Sequence, residues 1–132
     1  AVGGALSNAF SNIKDRPEME SKVMAELIPN YDNNKNAELE KRSAIKWVDK
    51  FPKDVPVLLL HGNSDWRVKP EQSLNLALEF EKNRVPYRLI MFEGGDHGIS
   101  EHKKEVNEQV IKWFDKYLKN NKQLPNMEYH GR

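Results

Sequence analysis

The sequence contains no cysteine. Disulfides, thiolate metal centres and cysteine nucleophiles are therefore excluded, although the absence does not by itself choose between a cytoplasmic and a periplasmic location. A long apolar run is missing as well. The longest, Val55 to Leu60, is interrupted by a proline and falls far short of the roughly 20 residues that cross a bilayer, so a soluble chain with no membrane partner is expected. Charge of one sign is missing too: 21 Lys and Arg against 20 Asp and Glu leave a formal charge of +1. Nothing in that balance favours nucleic acid or an anionic surface as partner. The sequence shows no internal repeat and no low-complexity tract beyond a short Asn-rich stretch. It opens on Ala1 rather than Met, so a missing signal peptide carries no information about targeting.

What is there is enough for a core. Leu, Ile, Val and Phe make up 32 of the 132 residues, above the level of about 20% that marks disordered chains. The length fits one ordinary domain, assigned here to residues 1–120 with a tail over 121–132. Ala1 to Leu6 reads as the end of a buried strand, and Ser7 to Arg16 as a polar connection. Pro17 opens a helix carried by Met19, Val23, Met24, Leu27 and Ile28 until Pro29 stops it. Asn30 to Asn36 reads as a surface loop, with a short helix over Ala37 to Ser43. Pro56 to His61 is apolar at consecutive positions, which suits a parallel strand buried on both faces. A helix from Pro70 to about Asn83, a second strand over Tyr87 to Phe92, and a helix with Val106, Val110, Ile111, Phe114, Tyr117 and Leu118 on one side complete the pattern. Alternating strands and helices predict an α/β fold with a short, mainly parallel sheet in three α/β/α layers.

Chemistry in such folds collects outside the carboxyl ends of the strands. Two loops qualify. Gly62-Asn63-Ser64-Asp65-Trp66-Arg67-Val68 follows the first of these strands, and Gly94-Gly95-Asp96-His97-Gly98 follows the second. Adjacent parallel strands would bring Asp65 and His97 together. A carboxylate bonded to one imidazole nitrogen fixes the tautomer and leaves the other nitrogen to deprotonate a nucleophile. In α/β-hydrolases the order is Ser, then Asp, then His, with the serine on a G-x-S-x-G turn. No such pentapeptide occurs here; Ser7 comes nearest but lacks the second glycine.

The segments Arg42 to Trp47, Pro56 to Val68 (PVLLLHGNSDWRV), Met91 to His102 (MFEGGDHGISEH) and Trp113-Phe114-Asp115 resemble the C-terminal part of the catalytic domain of the prolyl oligopeptidase family of serine peptidases. The resemblance covers approximately residues 1–118. It rests on HG-x-x-D-x-x-V after a buried strand and G-x-x-HG, whose histidine lies 32 residues beyond the aspartate. It implies a partial α/β-hydrolase fold, Asp65 and His97 as acid and base of a Ser-His-Asp triad, and a peptide substrate in the intact enzyme. It implies too that the serine, the oxyanion donors and a β-propeller belong to segments before Ala1, so that the fragment alone is inactive. No metal or organic cofactor is implied.

Other residues have plainer readings. Asp96 competes for the acid role but adjoins the histidine. His61 reads as a packed strand-end residue and His102 as a helix-surface one. Trp66 and Arg67 are candidate substrate contacts, the alternatives being a tryptophan covering the loop and a surface arginine. Glu93, Asp96, His97 and His102 lack the HExxH spacing of a zinc site. Trp113 and Phe114 read as core or interface. Two alternatives stand beside the peptidase reading: a noncatalytic α/β module that binds a ligand or partner with the same loops, and an esterase sharing the triad. Three parallel strands without upstream neighbours would leave an open edge, so the isolated chain is expected to self-associate, as a dimer or by strand or helix exchange. Sedimentation velocity at micromolar concentration checks this, and a strictly monomeric species would contradict it.

Overall fold

The computed structural model describes residues 6–120 and 123–131. The expected first strand falls mostly on residues outside that range, and Leu6 is not in a strand. Helix α1 spans Ala9–Asp15, where a polar connection was expected. Asn8 starts it: its side-chain oxygen accepts from the N–H groups of Phe10 and Ser11, which have no partner within the helix. Pro17 opens α2, over residues 17–27, as expected of a residue with no N–H to satisfy. Its middle, Glu20–Met24, widens into a π-helical turn. Ile28 is extended, as the residue before a proline prefers.

Helix α3, Tyr31–Lys41, replaces the expected Asn-rich loop and runs on through most of the short helix expected over Ala37 to Ser43. It starts from Asn30 in the left-handed region and is kinked at Asn34. Burial of Tyr31 and Leu39 against Ala9, Ile13, Met24 and Ile28 outweighs the poor helix propensity of its asparagines. A 3-10 segment, Ala44–Lys50, then leads to the sheet.

Strands β1, Val57–Gly62, and β2, Tyr87–Phe92, are adjacent and parallel, with Val57 opposite Tyr87 and Gly62 opposite Phe92. Between them runs α4, Glu71–Lys82, and after them α5, Lys103–Phe114, which continues as a π-helical turn over Asp115–Lys119. Successive strand residues point to opposite faces. Leu59 joins Leu76, Ala77, Phe80, Val85 and Val48 on the α4 side, while Leu60 and Phe92 join Ile99 and Val106 on the α5 side. Helix, sheet and helix thus form three layers, and the consecutive apolar residues of β1 serve one layer each. The turn back to β2 places Arg84 in the left-handed region, with Val85 N–H bonded to Phe80 O at 2.9 Å and Arg84 N–H to Glu81 O at 3.2 Å.

The helix stripes are narrower than expected. On α5 only Val106 is buried and Val110 packs beside it, whereas Ile111, Phe114 and Leu118 are exposed. Trp113, Phe114, Tyr117 and Leu118 instead line a surface groove with Val55, Pro56 and Leu124. On α4, Leu74 and Leu78 face outward. Phe80 is fully buried, 5.0 Å from the Phe51 ring and 5.9 Å from Tyr87. Phe80→Ala is expected to cost about 3–5 kcal/mol by urea denaturation, and Leu78→Ala less than about 1 kcal/mol; equal losses would contradict this packing.

Candidate active site

Because Gly62 and Phe92 are partners in the sheet, the loops after β1 and β2 leave one edge at the same level. They then zip together. Asn63 N–H bonds to Phe92 O at 2.9 Å, Ser64 N–H to Gly95 O at 3.0 Å, and Gly94 N–H to the Asn63 side-chain oxygen at 2.7 Å. Such close approach needs glycine at position 62, where a Cβ would run into the carbonyls of Gly95 and Asp96. Gly94 turns with φ of 67°.

The zipped loops bring the two predicted residues into contact. His97 Nδ1 stands 2.9 Å from Asp65 Oδ2. Asp65 Oδ1 accepts the N–H groups of Arg67 at 2.8 Å and Val68 at 3.0 Å, so the carboxylate also shapes its own loop. The aspartate side chain is fully buried and the histidine side chain is 39% exposed. With Nδ1 facing an acceptor, the ring proton is assigned there, and Nε2, which has no partner among the described residues, is left to take a proton. Burial alone would raise the Asp65 pKa. The bonds from Val68 N–H, His97 and Arg67 N–H outweigh it and hold the carboxyl below its ordinary value, so the group stays ionised.

The remaining candidates fall elsewhere. Asp96 turns away from His97: its oxygens accept from Ser100 N–H at 3.0 Å and from the Ser100 hydroxyl at 3.1 Å, fastening the turn that leads into α5. His102 Nε2 lies 2.8 Å from Glu93 O, with its ring against Phe92. Trp66 is 68% exposed and lies between the guanidinium groups of Arg16 and Arg67, 5.1 and 5.5 Å from the ring centre. Ser7 is buried, its hydroxyl bonded to Gln72 O at 2.6 Å. Among the described residues no three His, Asp or Glu side chains gather as metal ligands.

Two residues that matter to the loop carry no signature in the sequence. Gln72 accepts from Ser7 N–H and Asn8 N–H and donates to Asn8 O and the Ser11 hydroxyl, joining α1 to α4. Ser73 bonds to His61. Each looks like an ordinary first-turn helix residue, and only the packing reveals the contact.

The sequence profile of the prolyl oligopeptidase family matches residues 6–121. The chain belongs to that family. A relative in Bacillus anthracis is 30% identical over 108 residues, 80% of this chain and 17% of its own length. An Xaa-Pro dipeptidyl-peptidase of Lactiplantibacillus plantarum is 33% identical over 82 residues, 60% of this chain and 10% of the relative. Among solved structures, a puromycin-hydrolyzing peptidase of Mycobacterium tuberculosis superposes with a TM-score of 0.66 at 26% identity, covering 83% of this chain and 17% of that one. The chain thus spans about a sixth of the length of the first relative and of this structure.

Because the Asp65 carboxyl is held below its unfolded value of about 3.9, its ionised form stabilises the fold fully above that pH, and the contribution is lost as pH falls towards the lower folded value. Asp65→Asn is therefore expected to unfold at lower urea than the parent by a constant margin between pH 5 and 8, with the margin closing below about pH 4. A margin that widens in acid would contradict the assignment.

Proposed function

We propose that this chain supplies the acid and the base of a serine peptidase that cleaves peptide bonds by acyl transfer, with the nucleophilic serine on a segment outside these 132 residues. The observation that carries the reading is the 2.9 Å contact from a fully buried aspartate to a part-exposed histidine whose second nitrogen is free. Membership of the family supports it, as does the naming of the L. plantarum and M. tuberculosis proteins as peptidases. The absence of G-x-S-x-G and the engagement of the Ser7 hydroxyl by Gln72 support a nucleophile from elsewhere.

In this reading His97 Nε2 removes the proton from the serine hydroxyl as its oxygen attacks the scissile carbonyl carbon. A tetrahedral oxyanion forms, held in this reading by donors from the same outside segments as the serine. When the carbon–nitrogen bond breaks, the imidazolium returns that proton to the departing amine. Water then repeats the cycle on the acyl-enzyme with the same base. Asp65 stays ionised throughout, orients the ring through Nδ1–H and stabilises its positive charge. It does not take the proton.

In the intact protein His97→Ala is expected to abolish nearly all hydrolysis of dipeptide anilides, and Asp65→Asn to lower kcat by about 10⁴-fold with the fold retained. Near-normal turnover by either variant would end the proposal. Simple acyl esters run in parallel separate an esterase from a peptidase. The 132-residue chain alone is expected to escape labelling by a fluorophosphonate, and stoichiometric labelling would place the nucleophile within it.

A further inference from the structure

His61 is a buried imidazole that this acid–base chemistry does not use. It lies within β1 with no solvent exposure. Its two nitrogens nevertheless meet groups from two other parts of the chain. Nε2 is 2.9 Å from the Val68 carbonyl oxygen and 3.3 Å from Asp65 Oδ2, and Nδ1 is 2.5 Å from the Ser73 hydroxyl in the first turn of α4. The Val68 carbonyl and an ionised carboxylate can only accept. The ring proton is therefore assigned to Nε2, and Nδ1 accepts from the Ser73 hydroxyl.

This arrangement bears on which way the Asp65 carboxylate faces. Oδ1 takes two backbone N–H groups. Oδ2 stands between two imidazoles, 2.9 Å from His97 Nδ1 and 3.3 Å from His61 Nε2. Val68 is held twice, its N–H by Asp65 and its carbonyl by His61. A small rotation of the carboxylate would weaken the bond to His97 and, with it, the aim of the free nitrogen. Such a rotation would also strain the bond from the N–H of Val68, the residue that His61 holds by its carbonyl.

The geometry points to His61 and Ser73 as a positioning pair: Ser73 sets the His61 tautomer, and His61 Nε2–H then pins the carbonyl of Val68, whose own N–H holds Asp65 Oδ1, so that the carboxylate is aimed at His97. This inference rests on the reading of Asp65 and His97 as acid and base. Neither His61 nor Ser73 touches the substrate.

The test uses the intact protein and three variants. His61→Leu removes the donor, His61→Gln restores an N–H near the place of Nε2, and Ser73→Ala removes one hydroxyl while keeping the ring. Measured per active site titrated with a fluorophosphonate, kcat is expected to fall about ten- to hundredfold in His61→Leu with KM within about twofold. His61→Gln should recover most of it, and Ser73→Ala should fall between. The low-field proton resonance of His97 Nδ1–H should shift in His61→Leu and Ser73→Ala. A merely structural role would lower the melting temperature and the titrated fraction but leave kcat per site and the resonance unmoved, and that result overturns the proposal. Should His61→Leu fail to fold, Ser73→Ala decides by the same two readouts. A parallel His97→Ala control separates the failures. If it stays active, the acid–base reading is wrong; if it is inactive while Ser73→Ala keeps parental kcat and resonance, only the positioning pair is wrong.

Discussion

A carboxylate with no access to water has to be surrounded by donors, and in this chain that requirement organises the site. The Asp65 side chain is fully buried. An unpaired charge there would be strongly destabilising, so the local backbone is arranged to offer it N–H groups. Arg67 and Val68 turn their amides onto one oxygen, and His97 approaches the other from the next loop. The loop conformation, the ionisation of Asp65 and the orientation of the His97 ring are therefore aspects of one desolvated charge and its ligands. Among the described residues no buried side-chain polar atom is left without a partner, which is what a buried ionic cluster demands if it is not to unfold its own surroundings.

That charge can find its partner only because the sheet is in the right register. A slip of one residue would exchange the faces of β1, sending Leu59 and Leu60 into the wrong layers, so burial on both sides fixes the pairing firmly. Gly62 opposite Phe92 then sets both loops at one height, and the approach of Gly62 to Gly95 closes the gap between them. Packing of apolar residues far from the site thus determines a distance between two polar ones.

These features explain which parts of the structure were legible in the sequence. PVLLLH announces a strand buried on two faces and YRLIMF a second strand, and β2 has the bounds read from its sequence while β1 begins and ends one residue later. The Asp65–His97 contact was legible for the same reason, since parallel neighbours with polar loops at their carboxyl ends leave few arrangements. In the N-terminal third the helix opened by Pro17 was legible, but its neighbours α1 and α3 were not. Helix α3 is built largely from Asn, Asp, Lys and Glu and buries only Tyr31 and Leu39, eight positions apart, so no amphipathic stripe marks it. Helix α1 is short and mostly polar, and its cap at Asn8 is indistinguishable from a turn residue before the packing is known. On α5 the apolar side was real, but only its first turns reach the sheet.

The N-terminal helices meet the Asp65 loop across a polar seam rather than through a shared apolar core. Asn12 donates to Arg67 O at 3.3 Å and Arg16 to the same oxygen at 3.4 Å, while Gln72 ties the start of α1 to the start of α4. The Lys69–Asp15 ion pair on the rim is exposed and adds little by itself. An apolar contact of the same size would tolerate sliding, because apolar attraction has no direction. Hydrogen bonds to one carbonyl oxygen and one buried amide do not. The carbonyl concerned belongs to Arg67, whose N–H is held by Asp65. One peptide segment is therefore held at its N–H by the Asp65 carboxylate and at its carbonyl by Asn12 and Arg16, which gives the Asp65 loop an anchor outside the sheet.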